Sequence, residues 1–161
     1  MTGHLILDNE LLFGDVVRLL GAGKRVTIPV KGSSMHPLIR GERDLVVLEP
    51  VSATDPGTPA KALDIVLFRY QNRFILHRLQ RWEGDSALIM GDGVLYNQER
   101  CTAADIYGRV CTILKDGVKK GEAARAYDPR SPRALALARL WIRLKPLRRI
   151  LLAVWRRLPW N

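Results

Sequence analysis

Apolar positions recur at helical spacing near the start of the chain and again beyond residue 133; between these stretches they come in short runs and alternations. Leu11, Leu12, Val16, Leu19 and Leu20 share one face of a predicted first helix, which Asp8 or Asn9 can cap and Gly21-Ala22-Gly23 stops. Gly14 inside it costs about 1 kcal/mol of helix propensity, so this helix needs a core behind it. Strand-like segments follow at Arg25–Val30, Asp44–Glu49, Asp64–Tyr70, Arg73–Trp82, Ser86–Met90 and Tyr107–Leu114. They are rich in Val, Ile, Leu and aromatics and are bounded by Gly, Pro, Asp and Asn. Gln71-Asn72 predicts a tight hairpin turn, and Pro50–Pro59 reads as an exposed loop. No helix of crossover length separates the strands. The expected fold is therefore mainly β, a small and mostly antiparallel domain over residues 1–121 that includes the N-terminal helix.

Residues 122–133 lose periodicity and contain Asp128-Pro129-Arg130-Ser131-Pro132, the composition of a linker. Ser131 can cap a helix and Pro132 suits its first position. The helical pattern runs from Ala134 to Lys145, is interrupted at Pro146 and resumes from Leu147 to Leu158. Residues 134–161 are thus predicted as a basic, amphipathic helical tail.

Charge sharpens the reading of that tail. The net charge of +10 is not spread over the chain: residues 1–129 hold 17 Lys or Arg against 16 Asp or Glu, and residues 130–161 hold nine basic residues and no acidic one. Nucleic acid is disfavoured as a partner, because no recognised binding motif accompanies the charge and the body of the chain carries no matching surplus. Arginines interleaved with leucines, together with Trp141, Trp155 and Trp160, are the composition of a helix lying in a membrane interface. The expected partner is an anionic membrane surface through residues 134–161; packing of the same leucines onto the β domain is the competing expectation. No run approaches the roughly 18 apolar residues of a membrane-spanning helix, and Met1–Glu10 lacks the basic leader and apolar run of a signal peptide. The expected location is cytoplasmic, peripheral on the inner membrane face. Cys101 and Cys111 are expected as reduced, partly buried thiols, and without a Cys-x-x-Cys no thiolate zinc site is expected.

The candidate chemistry lies in three places. Ser34 sits in the turn Val30-Lys31-Gly32-Ser33-Ser34-Met35-His36-Pro37, where Gly32 permits an unusual backbone and Pro37 stiffens the exit. His77 lies within a predicted strand, with Ile75 and Leu79 on its face and Phe74, Leu76 and Arg78 on the other. Asp92 follows a buried-looking strand through Gly91. Nucleophile, base and orienting carboxylate are the groups that hydrolysis by an activated serine requires. Each has an ordinary explanation when taken alone: a turn serine, a packed histidine, a Gly-Asp-Gly turn. Ser33 competes with Ser34, and His4 and His36 compete as bases.

Taken in order, the blocks Gly32-Ser33-Ser34-Met35-His36-Pro37, Asp64-Ile65-Val66 with His77-Arg78, and Gly91-Asp92 with Tyr107-Gly108-Arg109-Val110 resemble the signal peptidase I and LexA-like serine peptidase superfamily. The resemblance covers residues 24–115. It implies a serine endopeptidase with Ser34 as nucleophile and Met35 as the apolar residue packed beside the site. His77 stands where LexA-like and most bacterial signal peptidases have lysine, and where the archaeal and endoplasmic-reticulum enzymes have histidine. Asp92 matches the Gly-Asp aspartate of the histidine-type enzymes. It implies a peptide or protein substrate and no metal or organic cofactor. The sequence departs from the family at Gly32, where bacterial signal peptidases often carry an oxyanion-binding serine, and at Gly93, where histidine-type enzymes usually have asparagine. The N-terminal anchor of signal peptidases and the DNA-binding domain of LexA are not found in it. These departures leave a second expectation, a catalytically inactive peptide-binding or assembly module of the same fold.

Overall fold

Strands that bury both faces need two cores, and this sheet supplies them. The computed structural model describes residues 9–51, 59–155 and Arg157; His4, Asp8, most of the expected 50–59 loop, Leu158 and Trp160 lie outside these. The strands are β1 (Val26–Pro29), β2 (Leu45–Pro50), β3 (Ile65–Tyr70), β4 (Arg73–Glu83), β5 (Ser86–Met90), β6 (Glu99–Thr102), β7 (Ile106–Lys115) and β8 (Arg125–Tyr127). They run in the order β1-β2-β7-β3-β4-β5-β6, with β8 beside β7. Each pairing is antiparallel. The chain is a mixed α/β domain: helix α1 (Asn9–Gly21) precedes the sheet, a short helix α2 (Gly117–Lys120) follows β7, and α3 (Pro132–Arg143) and α4 (Arg148–Trp155) close the chain.

Alternation along β3 divides the interior. Ile65 and Leu67 join Val16 and Leu20 of α1, Met35, Ile39 and Val110 in one core, whereas Val66 and Phe68 join Leu79, Ile89 and Cys101 in the other. β4 behaves as its sequence predicts, with Phe74 and Leu76 packing against the first core and Ile75 and Leu79 belonging to the second. The β3–β4 hairpin closes through Gln71 and Asn72, both at positive φ (47° and 60°), the conformation that suits the twist of a two-residue hairpin. Ser131 Oγ accepts from the Ala134 N–H at 3.3 Å and Pro132 takes the first position of α3, while Pro146 falls in a single 3₁₀ turn, Lys145–Leu147, that separates α3 from α4.

Two strands fall where no strand was expected. β6 has only Cys101 buried among polar neighbours, and β8 lies inside the expected linker, held by its register with Ile113–Lys115.

The segment that carries Ser34 leaves β1 and returns to β2 through Asp44, whose carboxylate is fully buried. It accepts the N–H groups of Arg40 and Asp116, each at 2.9 Å, and the Lys115 ammonium at 3.0 Å. Lys115 also donates to the Leu38 carbonyl, so the end of β7 is tied to this segment twice. Burial alone would raise the Asp44 carboxyl; the two backbone donors and Lys115 outweigh it and hold it below its ordinary value of 3.8. A carboxyl depressed on folding stabilises the fold above that ordinary value, and the contribution is lost as pH falls through the folded one. Urea unfolding should therefore show stability dropping below the ordinary carboxyl range, and Asp44→Asn should cost stability at neutral pH while flattening this part of the acid limb. An acid limb unchanged in Asp44→Asn would refute this role.

Candidate functional site

Gly32 has φ of 76°, the left-handed conformation that its sequence position anticipates, and it turns the chain out of β1 into the Ser33–His36 turn. Met35 is buried in the first core and anchors that turn from below. Gly91-Asp92-Gly93 packs against it. The Gly93 N–H donates to the Ser34 carbonyl at 2.8 Å. A Cβ on Gly93 would stand 2.5 Å from the Ser33 carbonyl, and one on Gly91 would collide with that of Ser34. Both glycines are required by close approach of the two turns.

His77 reaches the same place from β4. Its Nε2 lies 3.0 Å from where a Gly91 Cβ would be, so the imidazole edge and the Ser34 backbone meet over Gly91. The ring is 6% exposed and stands 6.4 Å, centroid to centroid, from Phe68. Its Nδ1 bonds Glu99 Oε2 at 3.2 Å. A carboxylate only accepts, so a neutral His77 carries its proton on Nδ1 and presents a lone pair at Nε2. Among the described residues Ser34 Oγ makes no hydrogen bond, with His77 or any other.

Asp92 does not take the place beside His77 that the sequence reading gave it. His77 and Arg78 leave β4 on opposite faces, and Asp92 goes to Arg78: both carboxylate oxygens are engaged, at 2.8 Å by Nε and 2.6 Å by Nη2, in a buried bidentate pair. Arg78 also donates to the Leu63 carbonyl at 2.9 Å. Asp92 thus holds the turn against the sheet, and Glu99 is the carboxylate on the histidine. Of the competing residues, Ser33 is exposed and contributes its carbonyl to the packing on Gly93, and His36 lies edge-on to Trp155 at 4.8 Å. Among the described residues no group of His, Cys, Asp and Glu could hold a metal ion. Cys101 and Cys111 are unbridged. Burial, and secondarily Asp105, pushes the Cys101 thiol up to about 12.

The terminal helices pack on the back of this site, as the competing expectation for the tail had it. Ala134 and Ala138 are the buried residues of α3, and Trp141 Nε1 donates to the Asp92 carbonyl at 2.9 Å. Between α3 and the two turns lies a cavity of about 320 Å³ lined mainly by apolar groups, including Pro37, Leu38, Leu140 and Trp141. It lies on the Arg78 side of β4, away from His77. Arg148, at the start of α4, is 1% exposed. Its Nε donates to the Trp141 carbonyl at 3.1 Å and its guanidinium lies 5.5 Å from the Trp141 ring centroid. Both terminal nitrogens are buried without a hydrogen-bond partner. Burial pulls its pKa below the ordinary range, with Asp92 opposing. An unpaired buried cation costs more than a packed thioether, so Arg148→Met should stabilise the protein by about 1 kcal/mol, read as a rise of roughly 3 °C in Tm. A clear fall in Tm would show that this guanidinium is worth more than its desolvation costs.

No family model matches the chain, and no curated protein sequence matches it.

Proposed function

We infer that this domain is a serine endopeptidase of the kind that its motifs resemble, with Ser34 as nucleophile, His77 as base and Glu99 as the carboxylate that orients it. One observation carries the reading: over Gly91 the Ser34 turn meets His77 Nε2, while Glu99 occupies Nδ1. In the first half-reaction Ser34 Oγ attacks a peptide carbonyl and Nε2 takes its proton. The resulting imidazolium is stabilised by Glu99 and then protonates the leaving amine. Water, deprotonated in turn by His77, releases the acyl group from Ser34. The turn's own backbone bonds use the N–H groups of His36 and Ile39 and not those of Ser34 and Met35, which in this reading receive the oxyanion. The fold this implies is a signal-peptidase or LexA-like β domain, with a peptide bound along the His77 side.

A binding or assembly module of the same fold is favoured by the missing Ser34–His77 hydrogen bond. The two readings part in one experiment. The purified chain is incubated with a diverse peptide mixture and the new termini are identified by mass spectrometry, beside Ser34→Ala. The peptidase reading expects termini that appear with wild type and not with the variant. Peptides bound equally by both proteins and cut by neither would establish the module instead.

A further inference from the structure

Helices α3 and α4 each bury a narrow stripe. Ala134, Ala138 and Trp141 face the domain from α3, and Arg148, Leu152 and Trp155 do so from α4, at the i, i+4, i+7 spacing of one helix face. Several of their larger aliphatic side chains, unlike Leu152, are left exposed. Leu137, at 61%, and Leu140 are exposed on the rim of the cavity between α3 and the domain, whereas Ile150, at 64%, Leu147 and Val154 are exposed and do not line it. Arg139, Arg143, Lys145 and Arg149 are exposed among them. Leu147, Ile150 and Val154 standing in solvent among these cations make a surface for something else.

The charge selects the occupant. Residues 130–161 carry nine basic side chains and no acidic one. A second copy of this chain would bring like charge against like charge. A nucleic acid would meet the arginines and leave the leucines and Ile150 in water. A surface that is apolar inside and anionic outside satisfies both, and it is the surface of an anionic bilayer. We propose that the outer face of the α3–α4 tail docks on anionic lipid, with Leu147, Ile150 and Val154 entering the headgroup–acyl boundary and the neighbouring arginines on the phosphates. No helix among the described residues is long and apolar enough to cross a membrane, so this is attachment in the interface plane. Trp141 and Trp155 tie the same helices to the Asp92 carbonyl and to His36, so docking holds the Ser34 turn close to the lipid. That last consequence rests on the peptidase reading; the docking does not.

The test is flotation of the full chain with vesicles of phosphatidylcholine mixed with phosphatidylglycerol, and with phosphatidylcholine alone, over a range of salt. Binding to the mixed vesicles that weakens with salt is expected. The pair Leu147→Asn and Ile150→Asn should weaken it at least about tenfold, and the pair Arg143→Gln and Arg149→Gln roughly thirtyfold. All these positions are exposed, and unchanged circular dichroism melting would show that the variants fold. Ser34→Ala should bind as wild type does, which separates this outcome from any failure of catalysis. Equal binding to both vesicle types, no binding, or binding indifferent to the two aliphatic substitutions would overturn the proposal. So would a lipid-free dimer that those substitutions dissolve, since the face would then belong to a second copy.

Discussion

Replacing His77 by alanine is expected to lower peptide cleavage about as much as replacing Ser34, by roughly 10⁴–10⁶ in kcat, and the double variant is expected to lose no more than either. In the proposed mechanism the two side chains act in one step. Without Nε2 the Ser34 hydroxyl keeps its proton and is a weak nucleophile; without Oγ the base has nothing to activate. Steady-state kinetics on a cleaved peptide would show the effect in kcat, with KM little changed, because neither group is asked to bind the substrate. Effects that multiply in the double variant would mean that the two residues act separately, and the shared step would have to be abandoned.

The two carboxylates near the site should fail in different ways. Asp92→Ala strands the buried Arg78 guanidinium, whose Nε and Nη2 both lose their acceptors. Removing one member of a buried ion pair costs about 3–5 kcal/mol, a large share of a small domain's stability. The expected result is a lowered denaturant midpoint and a loosened Ser34 turn, with activity falling because the fold does. Glu99 bonds only His77 among the described residues. Glu99→Gln should leave the midpoint nearly unchanged while lowering kcat about 10²–10⁴-fold, since the imidazole loses the carboxylate that sets its tautomer and stabilises its cation. A stable, inactive Asp92→Ala beside a fully active Glu99→Gln would restore Asp92 to the role its Gly-Asp context first gave it.

That pair of residues also shows where sequence stops being informative. The face on which His77 lies was readable, because Ile75 and Leu79 on one side of β4 and Phe74 and Leu76 on the other both find apolar cores. The partner of Asp92 was not, since His77 and Arg78 are adjacent in the chain and spacing alone does not say which of them a carboxylate fourteen or fifteen residues later will meet. Only the strand pairing decides it. Glu99 gave no local signal at all: it lies in Tyr96-Asn97-Gln98-Glu99-Arg100, a polar run with the look of a turn, and β6 exists through its ladder with β5 rather than its own propensity. The tail was legible as two helices with a break at Pro146, down to the Ser131 cap. Its orientation was open, because the same leucines suit a membrane interface or the face of the β domain. In the structure Ala134 and Ala138 let α3 lie close to the domain, Leu137 and Leu140 stand on the rim of the cavity beside it, and Leu152 of α4 is buried. The closeness of the Ser34 and Asp92 turns left a sequence trace in Gly91 and Gly93, whose meaning appears only when the neighbouring carbonyls are seen beside them.

The proposed activation of Ser34 by His77 can be tested without knowing the substrate. A fluorophosphonate reacts with a serine hydroxyl only when a base withdraws its proton and donors receive the phosphoryl oxygen, so its reaction reports the chemistry itself. Intact mass of the full chain after such treatment, followed by peptide mapping, is the direct test. The expected result is a single phosphonyl adduct on Ser34, absent from Ser34→Ala and formed far more slowly by His77→Ala and Glu99→Gln. No adduct on the folded wild-type chain, or an adduct on Ser34 formed equally fast without His77, would contradict it.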